Sequence, residues 1–287
     1  MPQLSYDPAK YTSASRDAWS DAARAFADEN APKLEPYGLR MIEMLDLAAL
    51  KPGARVLDLC SGPGEPALTI AKRLEGRATV VGTDLAPEMV RLANERAAGT
   101  KLANVAFEEC DAQALKFEPA SFDLVTCRFG LMLVAEPDRV AKEVERVLKK
   151  GGKFGFTTWA ESSKTAPVWI TRQVVMDLVP KEMIPPGPDI YRWGDPANLT
   201  ALMDEADMAI RKIEAVKATW EYDSPDHYWW SMTRGSPTGR MLSKFPPEMA
   251  MKVEEESKRR LAKLASPDGR LRLDAEALAV VAQKGMT

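Results

Sequence analysis

The sequence is poor in the residues that most often carry metal, disulfide or nucleic-acid chemistry. Its 287 residues include one histidine and three cysteines. The cysteines, Cys60, Cys110 and Cys127, lack the paired spacing of a zinc site, and an odd number of them suits a reducing compartment. Lys and Arg total 39 against 42 Asp and Glu, a net charge of −3, so no basic field attracts nucleic acid.

Long apolar runs are missing as well. No stretch of ~20 apolar residues could span a bilayer, and the N-terminus lacks the pattern of a secretory signal. The charged run at 254–263 alternates in sign at helical spacing and indicates a solvated helix face. We therefore expect a soluble cytoplasmic protein, monomeric or homodimeric, without a transmembrane segment or a nucleic-acid partner.

Apolar strands alternate with helices along the first part of the chain. Two helices are expected over 14–29 and 37–50. Strands are then predicted over 54–60, 78–84, 105–110, 122–127 and 152–159. The helices between them are predicted over 66–74, 86–99 and 138–150, the last ending at Gly151-Gly152. This alternation is typical of an α/β fold with a doubly wound, Rossmann-like parallel sheet.

After Trp159 the rhythm changes. A segment rich in proline and aromatic residues precedes a helix at 196–207 and a long strand at 210–222. Mostly helical sequence follows over 226–265, and a final strand near 277–282 returns to the sheet. We divide the chain into N-terminal helices that partly cover the site (1–50), a ligand-binding core (51–160), a helical cap lining the substrate pocket (161–195 and 223–270), and elements completing the sheet (196–222 and 271–287).

Polar side chains follow four of the first five predicted strands. The first strand carries Asp58 and runs into the loop Ser61-Gly62-Pro63-Gly64. The next strands end at Asp84, at Cys110-Asp111 and at Cys127-Arg128-Phe129. Because the carboxyl ends of parallel strands meet at one edge of a sheet, these groups should converge at a ligand site.

Two classes of nucleotide compete for this site. The pattern Gly62-x-Gly64-x-x-Ala67, with Asp84 twenty residues after Gly64, satisfies the dinucleotide fingerprint. However, a pyrophosphate would meet the carboxylates of Asp58 and Glu65. A cationic ligand without phosphate fits better, and S-adenosylmethionine is such a ligand. Its ammonium group could use Asp58, its methionine portion the loop backbone, its ribose Asp84 and its adenine amino group Asp111.

Four stretches carry a family resemblance: "VLDLCSGPGEPALTIAKRL", "VVGTDLAPEMVRLANERA", "ECDAQALKFEPASFDLVTCRFGL" and "VERVLKKGGKFGFTTW". Over about residues 50–160 the chain resembles class I S-adenosylmethionine-dependent methyltransferases, especially the ubiquinone and menaquinone C-methyltransferase group. The resemblance implies seven strands with the last one antiparallel. It also implies ribose binding by Asp84, adenine binding by Asp111 and the backbone of Ala112, and packing by Leu85 and Met89.

Two departures from the family pattern stand out. Cys60 replaces the first small residue of the glycine loop and tightens the methionine pocket. "CRFGLM" replaces the Arg-Asn-x-x-Asp pattern of the quinone enzymes, which argues against a quinone acceptor. The residues expected to bind the cofactor are Trp19, Asp58, Cys60, Ser61, Gly62, Gly64, Asp84, Leu85, Met89, Asp111, Ala112 and Arg128.

The acceptor side is less defined by the sequence. His227 could serve as a catalytic base or lie at the start of a surface helix, and Arg128 could orient an anionic acceptor or form a salt bridge with Asp111 or Glu65. Thiol ligation of arsenic(III) by the three cysteines is disfavoured, because they should lie beneath the cofactor. Aromatic residues could line an apolar pocket or form the core of the cap; they are Tyr11, Phe129, Trp159, Tyr191, Trp193 and Trp229.

The sequence therefore predicts methyl transfer from S-adenosylmethionine to oxygen or carbon of a small, largely apolar acceptor, such as a phenol, carboxylate or quinone-like compound. In-line displacement needs mainly alignment of the reactants, and a base only for a protonated nucleophile. Two alternatives remain. One is an S-adenosylmethionine-binding protein without methyl transfer, regulatory or cyclase-like. The other is an NAD-dependent oxidoreductase, which the acids of the loop disfavour.

Overall fold

The predicted strands lie side by side in one seven-stranded sheet. A computed structural model describes residues 6–286. The strands are β1 (Ala54–Leu59), β2 (Ala78–Asp84), β3 (Val105–Glu109), β4 (Phe122–Arg128), β5 (Leu148–Trp159), β6 (Met208–Tyr222) and β7 (Leu271–Lys284). Their order is β3-β2-β1-β4-β5-β7-β6, with β7 antiparallel to both neighbours and the first five strands parallel. The predicted fold, including the antiparallel last strand, is confirmed.

Ten α-helices connect or flank the strands of the described chain. They are α1 (Pro8–Ala25), α2 (Glu35–Leu45), α3 (Ala67–Leu74), α4 (Pro87–Ala98), α5 (Pro137–Val147), α6 (Ala166–Leu178), α7 (Pro196–Asp204), α8 (Pro225–Arg234), α9 (Thr238–Leu242) and α10 (Pro247–Ala262). Most begin beside a proline, whose missing N–H costs nothing in a first turn. Among residues 6–286, no helix is long and apolar enough to cross a membrane.

The central strands of the sheet are buried on both faces, which explains why β1, β4 and the second half of β5 are largely apolar. Along β1, Val56 packs with α2 and α3, whereas the neighbouring Leu57 packs with α5 and α7 on the opposite face. Both side chains are fully buried. Removing such side chains from water is the main favourable term in folding. The packed strands therefore hold the residues at their carboxyl ends in fixed positions.

Helix α5 and strand β5 meet earlier than the sequence predicts. The helix ends at Val147, not at residue 150, and Gly151-Gly152 lies inside β5. Leu148 is completely buried and pairs with Phe122, so the chain must leave the helix in time to place this side chain in the core. Gly151 has a φ of +73°, which glycine adopts without strain inside the irregular start of the strand.

Strands β6 and β7 are longer than predicted. They pair from Met208–Lys284 to Tyr222–Leu271 and continue past the last rung of β5, where Trp159 pairs with Ala277. Alternation of buried and exposed residues marks the first part of β7, so only its apolar second half was recognisable as a buried strand. Strands β6 and β7 therefore extend beyond the end of β5, toward the segments that we assign to the cap.

Helix α1 also begins earlier than predicted, at Pro8, with Asp7 capping its first turn. It is followed by a π-helical turn over Phe26–Asn30. Such turns are rare and occur often near functional sites. Here the turn redirects the chain across the carboxyl edge of the sheet toward α2.

Candidate active site

The carboxyl ends of β1, β2 and β4 converge as expected from parallel pairing. In the ladder, Asp58 lies level with Gly82 of β2 and with Thr126 of β4. Asp84 and Arg128 occupy the last positions of their strands. This is the crevice where strand order reverses, since β2 and β4 lie on opposite sides of β1.

Asp58 is completely buried and connects three elements. Its Oδ1 accepts a hydrogen bond of 2.6 Å from Thr126 Oγ1, and its Oδ2 accepts one of 3.2 Å from the backbone N–H of Ala67 at the start of α3. Burial raises the pKa of Asp58 to about 7, although the Thr126 bond and the nearby Arg128 charge act in the opposite direction. The carboxylate therefore supports the loop from beneath.

The glycine loop depends on left-handed backbone conformations. Gly62 and Gly64 have φ values of +52° and +108°, and a Cβ on Gly64 would lie 2.8 Å from Leu68 Cδ1. Ser61 anchors the loop through its N–H, which donates to Thr83 O at 2.9 Å. Cys60 adopts a φ of +51° although it is not glycine. These features keep the backbone of the loop free for close approach by a ligand.

Asp84 binds the backbone of the glycine loop from β2. Its Oδ2 accepts from Gly62 N–H and its Oδ1 from Ala86 N–H, both at 2.9 Å. Burial raises the pKa of Asp84 to about 6, with the backbone hydrogen bonds acting in the opposite direction. Within residues 6–286 neither Asp58 nor Asp84 forms an ion pair, so both carboxylates are placed to favour a cationic ligand.

Asp111 lies in a network that sequence patterns did not reveal. Its Oδ1 accepts from both the backbone N–H (2.9 Å) and the side-chain amide (3.1 Å) of Gln113. The Gln113 Oε1 in turn accepts from Glu136 N–H at 2.8 Å. Gln113 and Ala112 are buried. Gln113 thus orients the acid that the family resemblance assigns to adenine, and no motif in the sequence marks it.

The N-terminal segment covers the glycine loop. Trp19 packs edge-on against Phe26, with ring centroids 5.4 Å apart, and both adjoin the buried side chain of Met89. The Phe26 ring lies 3.6 Å from where a Cβ on Gly62 would be. Sequence reasoning selected Trp19 but not Phe26, although the spacing of seven residues places both on one helical face.

Arg96 connects this cover to the loop. Its Nη1 donates to Pro63 O at 3.3 Å and its Nη2 to Ala27 O at 3.1 Å. One side chain of α4 therefore binds both the loop and the π-helical turn. Leu85, just before this helix, is half-buried beside the site.

Arg128 is a buried cation without a partner among the described residues. It is 8% exposed and borders a cavity of about 220 Å³ with Gly38, Glu35 and Glu65. No salt bridge to Asp111 or Glu65 forms within residues 6–286. Burial lowers the pKa of Arg128, while the charges of Glu65 and Asp58 raise it. A guanidinium in this position is available for an anionic group.

Two of the aromatic residues predicted for the acceptor pocket are buried in a stack. Phe129 and Trp159 lie 4.2 Å apart between ring centroids, and Trp159 also contacts Tyr37 and Trp220. Phe129 has a φ of +60°, a strained value for a bulky residue at the end of β4. The stack forms the wall between the sheet and the cap.

The other four aromatic candidates are spread over the cap and its approaches. Trp193 is buried under Arg192, and Trp229 packs with the apolar cluster between α6, α9 and α10. Tyr191 contacts Trp169 edge-on at 5.4 Å, and Tyr11 donates to Leu133 O at 3.1 Å. Tyr11, Tyr191 and Trp229 are half-buried, and Trp193 is buried.

Both ring nitrogens of His227 are engaged. Its Nδ1 accepts from Asp223 N–H at 3.1 Å, so Nε2 carries the proton in the neutral tautomer and donates to Glu29 Oε2 at 3.1 Å. His227 thereby ties α8 to the π-helical turn. Neither nitrogen is left to act as a base in this arrangement.

The three cysteines do not form a common ligand set. A hydrogen bond that the Cys60 thiol donates to Cys127, together with burial, raises the pKa of Cys60 well above its usual range. Burial also raises the pKa of Cys110, whose sulfur contacts the Asp111 and Ala114 carbonyls. In the part of the chain that the structure describes, no three His, Cys, Asp or Glu side chains are grouped to hold a metal ion.

Known proteins match the chain in sequence and in fold. A family model described as a methyltransferase domain matches residues 50–187. An uncharacterized Mycobacterium tuberculosis protein is 29% identical over 177 residues, 62% of this chain and 62% of that protein. The ubiquinone/menaquinone biosynthesis C-methyltransferase UbiE of Xanthomonas campestris is 40% identical over 115 residues, 40% of this chain and 46% of the relative.

Among solved structures, the YcgJ protein of Bacillus subtilis aligns with a TM-score of 0.56 and 20% identity over 85% of this chain and 97% of that one, a likeness of fold. The chain spans less than two thirds of the length of both sequence relatives. The family match, together with the strand order, confirms the resemblance that the sequence motifs indicate.

Thr126→Val tests the support beneath the loop. The folded-state pKa of Asp58 lies above its unfolded value, so ionisation of Asp58 costs stability as pH rises from about 4 to 7. The Thr126 bond offsets part of this cost. We expect Thr126→Val to lower the free energy of unfolding by about 1–3 kcal/mol at pH 8 and by less at pH 5.5, measured by urea denaturation.

Thr83→Val is the matched control. Thr83 is also buried, but its Oγ1 makes only a 3.4 Å hydrogen bond to the backbone oxygen of Asp58. Its loss should be small and independent of pH. Equal losses for Thr126→Val at both pH values would show that the bond does not support the ionised carboxylate.

Proposed function

We propose that this chain, whose residues 50–187 match a methyltransferase domain, transfers a methyl group from S-adenosylmethionine to a small, largely apolar organic acceptor. One observation carries the proposal for the site. Two carboxylates, Asp58 and Asp84, flank a left-handed glycine loop, and burial raises the pKa of both. A cationic nucleoside stabilises such carboxylates, whereas a pyrophosphate does not.

The adenosine end of the cofactor is assigned to β2, β3 and the loops after them. Asp84 would accept hydrogen bonds from the ribose hydroxyls, since its carboxylate already sits on the N–H groups of the loop and of α4. Leu85 and Met89 would pack against the ribose and adenine. Asp111, oriented by Gln113, would accept from the adenine amino group beside the backbone of Ala112.

The methionine end is assigned to the glycine loop and β4. Both oxygens of Asp58 are used by the protein, so its charge would favour the ammonium group from beneath the loop. The backbone of Cys60, Ser61, Gly62 and Gly64 would contact the amino-acid portion. Arg128, buried without a partner, would bind the carboxylate of the cofactor or an anionic group of the acceptor.

When bound, the cofactor would supply a methyl group activated by its sulfonium sulfur. The protein contributes alignment and exclusion of water, which can supply several kcal/mol. The π-helical turn, with Phe26 on Gly62, provides part of this enclosure. Because both nitrogens of His227 are engaged, a phenol would have to pass its proton to another group, whereas a carboxylate acceptor would need no base.

The acceptor pocket is assigned to the space between the N-terminal segment and the cap. Of the segment expected to cover the cofactor, 1–50, residues 1–5 lie outside the described chain; residues 6–50 would cover the cofactor, and 161–195 with 223–270 would surround the acceptor. Tyr11 and Tyr191 are half-buried aromatic residues of these segments, and Phe129 and Trp159 form a buried pair at the ends of β4 and β5. A phenol or a carboxylic acid is the acceptor class that we favour, methylated at oxygen.

Methyl transfer by the purified chain tests the proposal. Labelled S-adenosylmethionine should be incubated with phenols, aromatic carboxylic acids and a reduced naphthoquinone. We expect label in at least one oxygen acceptor and formation of S-adenosylhomocysteine in equal amount. Tight cofactor binding without transfer to any of these would favour instead an S-adenosylmethionine-binding protein of regulatory or cyclase-like type.

Arg128→Met separates the two roles of the buried cation. If Arg128 binds the cofactor carboxylate, affinity for S-adenosylhomocysteine should fall about 10- to 100-fold, since a charge-assisted hydrogen bond is lost. Affinity for methylthioadenosine, which lacks the amino-acid portion, should not change. Calorimetric titration measures both ligands.

Unchanged binding of S-adenosylhomocysteine with a raised KM for the acceptor would assign Arg128 to the acceptor. Arg91→Met, an exposed ion-paired arginine on α4, is the control for loss of one positive charge near the site.

A further inference from the structure

Tyr222 carries a buried hydroxyl group without a hydrogen-bond partner. The residue is 2% exposed, and its hydroxyl oxygen has no donor or acceptor within bonding distance in the described part of the chain. A buried phenol that bonds to nothing costs about 1–3 kcal/mol. Such groups are uncommon and call for an explanation, which can be a ligand.

The tyrosines around it are satisfied. Tyr37 donates to Ala275 O at 3.0 Å and accepts from Trp220 Nε1 at 3.3 Å. Tyr228, whose ring centroid lies 5.1 Å from that of Tyr222, donates to Pro167 O at 2.8 Å and lies 3.1 Å from Thr171 Oγ1. The missing partner is therefore a property of Tyr222 and not of this region as a whole.

The position of Tyr222 is relevant to the acceptor. It is the last residue of β6, which runs parallel to β5 and continues beyond the rung where Trp159, Ala277 and Val216 lie level. An acceptor must lie beyond the cofactor along this same direction, because the cofactor occupies the carboxyl edge of the sheet. Tyr222 is thus placed on the acceptor side of the edge.

The elements that cover the cofactor loop and form the cap meet at Tyr222. Lys33, which follows the π-helical turn, holds its ammonium 4.9 Å from the Tyr222 ring centroid. His227 of α8, bonded to Glu29 of that turn, has its ring centroid 5.8 Å away. The Tyr222 ring therefore lies between the parts of the chain assigned to the cofactor cover and to the acceptor pocket.

We propose that the Tyr222 hydroxyl donates a hydrogen bond to an oxygen of the acceptor other than the one methylated. This inference rests on the proposed function and names a further residue that selects the substrate class. It requires an aromatic or otherwise apolar acceptor with a second oxygen, such as a hydroxyl or carboxylate group. A phenol in an apolar surrounding suits this task, because the acceptor oxygen replaces water as its partner.

The hydroxyl of Tyr222 is able to donate. Burial, with the neighbouring Tyr228 and Glu29, raises the pKa of Tyr222 well above its usual range, so the proton stays on the hydroxyl at any working pH. An acceptor oxygen beside it would therefore meet a hydrogen-bond donor.

Tyr222→Phe in the full chain tests the proposal. The probes are 4-methoxyphenol, which carries a methylated oxygen and a second, free hydroxyl, and 4-methylanisole, which lacks that hydroxyl; both are titrated with S-adenosylhomocysteine present. We expect Tyr222→Phe to weaken 4-methoxyphenol binding about 3- to 10-fold, the loss of one neutral hydrogen bond. Binding of 4-methylanisole and of S-adenosylhomocysteine should change by less than about twofold. Where the parent methylates a phenol with a second oxygen, the KM for that phenol should rise.

Stability separates a ligand contact from a packing role. Tyr222→Phe removes no bond within the protein, so its melting temperature should match or exceed that of the parent. Tyr228→Phe is the matched control, because it loses bonds to Pro167 and Thr171 and should melt at a lower temperature.

Equal binding of 4-methoxyphenol by parent and Tyr222→Phe would overturn the inference, as would no binding of either probe by the parent. Failure of the parent to bind S-adenosylhomocysteine would instead contradict the proposed cofactor. The difference in affinity between the two probes depends on Tyr222 and not on the cofactor. Failure of the Tyr222 inference can therefore be distinguished from failure of the cofactor assignment.

Discussion

The site depends on one buried carboxylate. Asp58 joins β1 to β4 through Thr126 and to the first turn of α3 through Ala67. The strands β1 and β4 border the reversal in strand order, so a single side chain links both of them to the start of the helix that follows the glycine loop. Burying this charge is expensive, and the raised pKa of Asp58 records that cost. A cation bound above the loop would recover part of it.

The core of the fold follows from local patterns. β2 has the bounds expected from the sequence, because it is buried on both faces and ends at turns. Local sequence patterns predicted the wrong ends for elements whose bounds are set by contacts between residues distant in sequence. Burial of Leu148 against Phe122 ended α5 early. Pairing with β6 extended β7 through a stretch whose apolar residues alternate with charged ones.

The cofactor side was predictable to a greater extent than the acceptor side. Asp58, Asp84 and Asp111 follow strands and so share an edge, a consequence of parallel pairing alone. Gln113, Phe26 and Arg96 could not be selected in the same way, since their roles arise from contacts with residues distant in sequence. Tyr222 is an extreme case: the sequence shows an ordinary strand tyrosine, and only the structure shows that its hydroxyl is unpaired.

Calorimetric titration of the unmodified chain and of Asp84→Ala tests the central claim most directly. S-adenosylmethionine and S-adenosylhomocysteine should bind the parent at micromolar concentration, NAD should not bind, and Asp84→Ala should lose affinity for both adenosyl ligands. Glu88→Ala, which removes an exposed acid near the same loop, should bind like the parent. Binding of NAD in their place, or adenosyl binding that survives loss of Asp84, would contradict the assignment of this crevice to a cationic nucleoside.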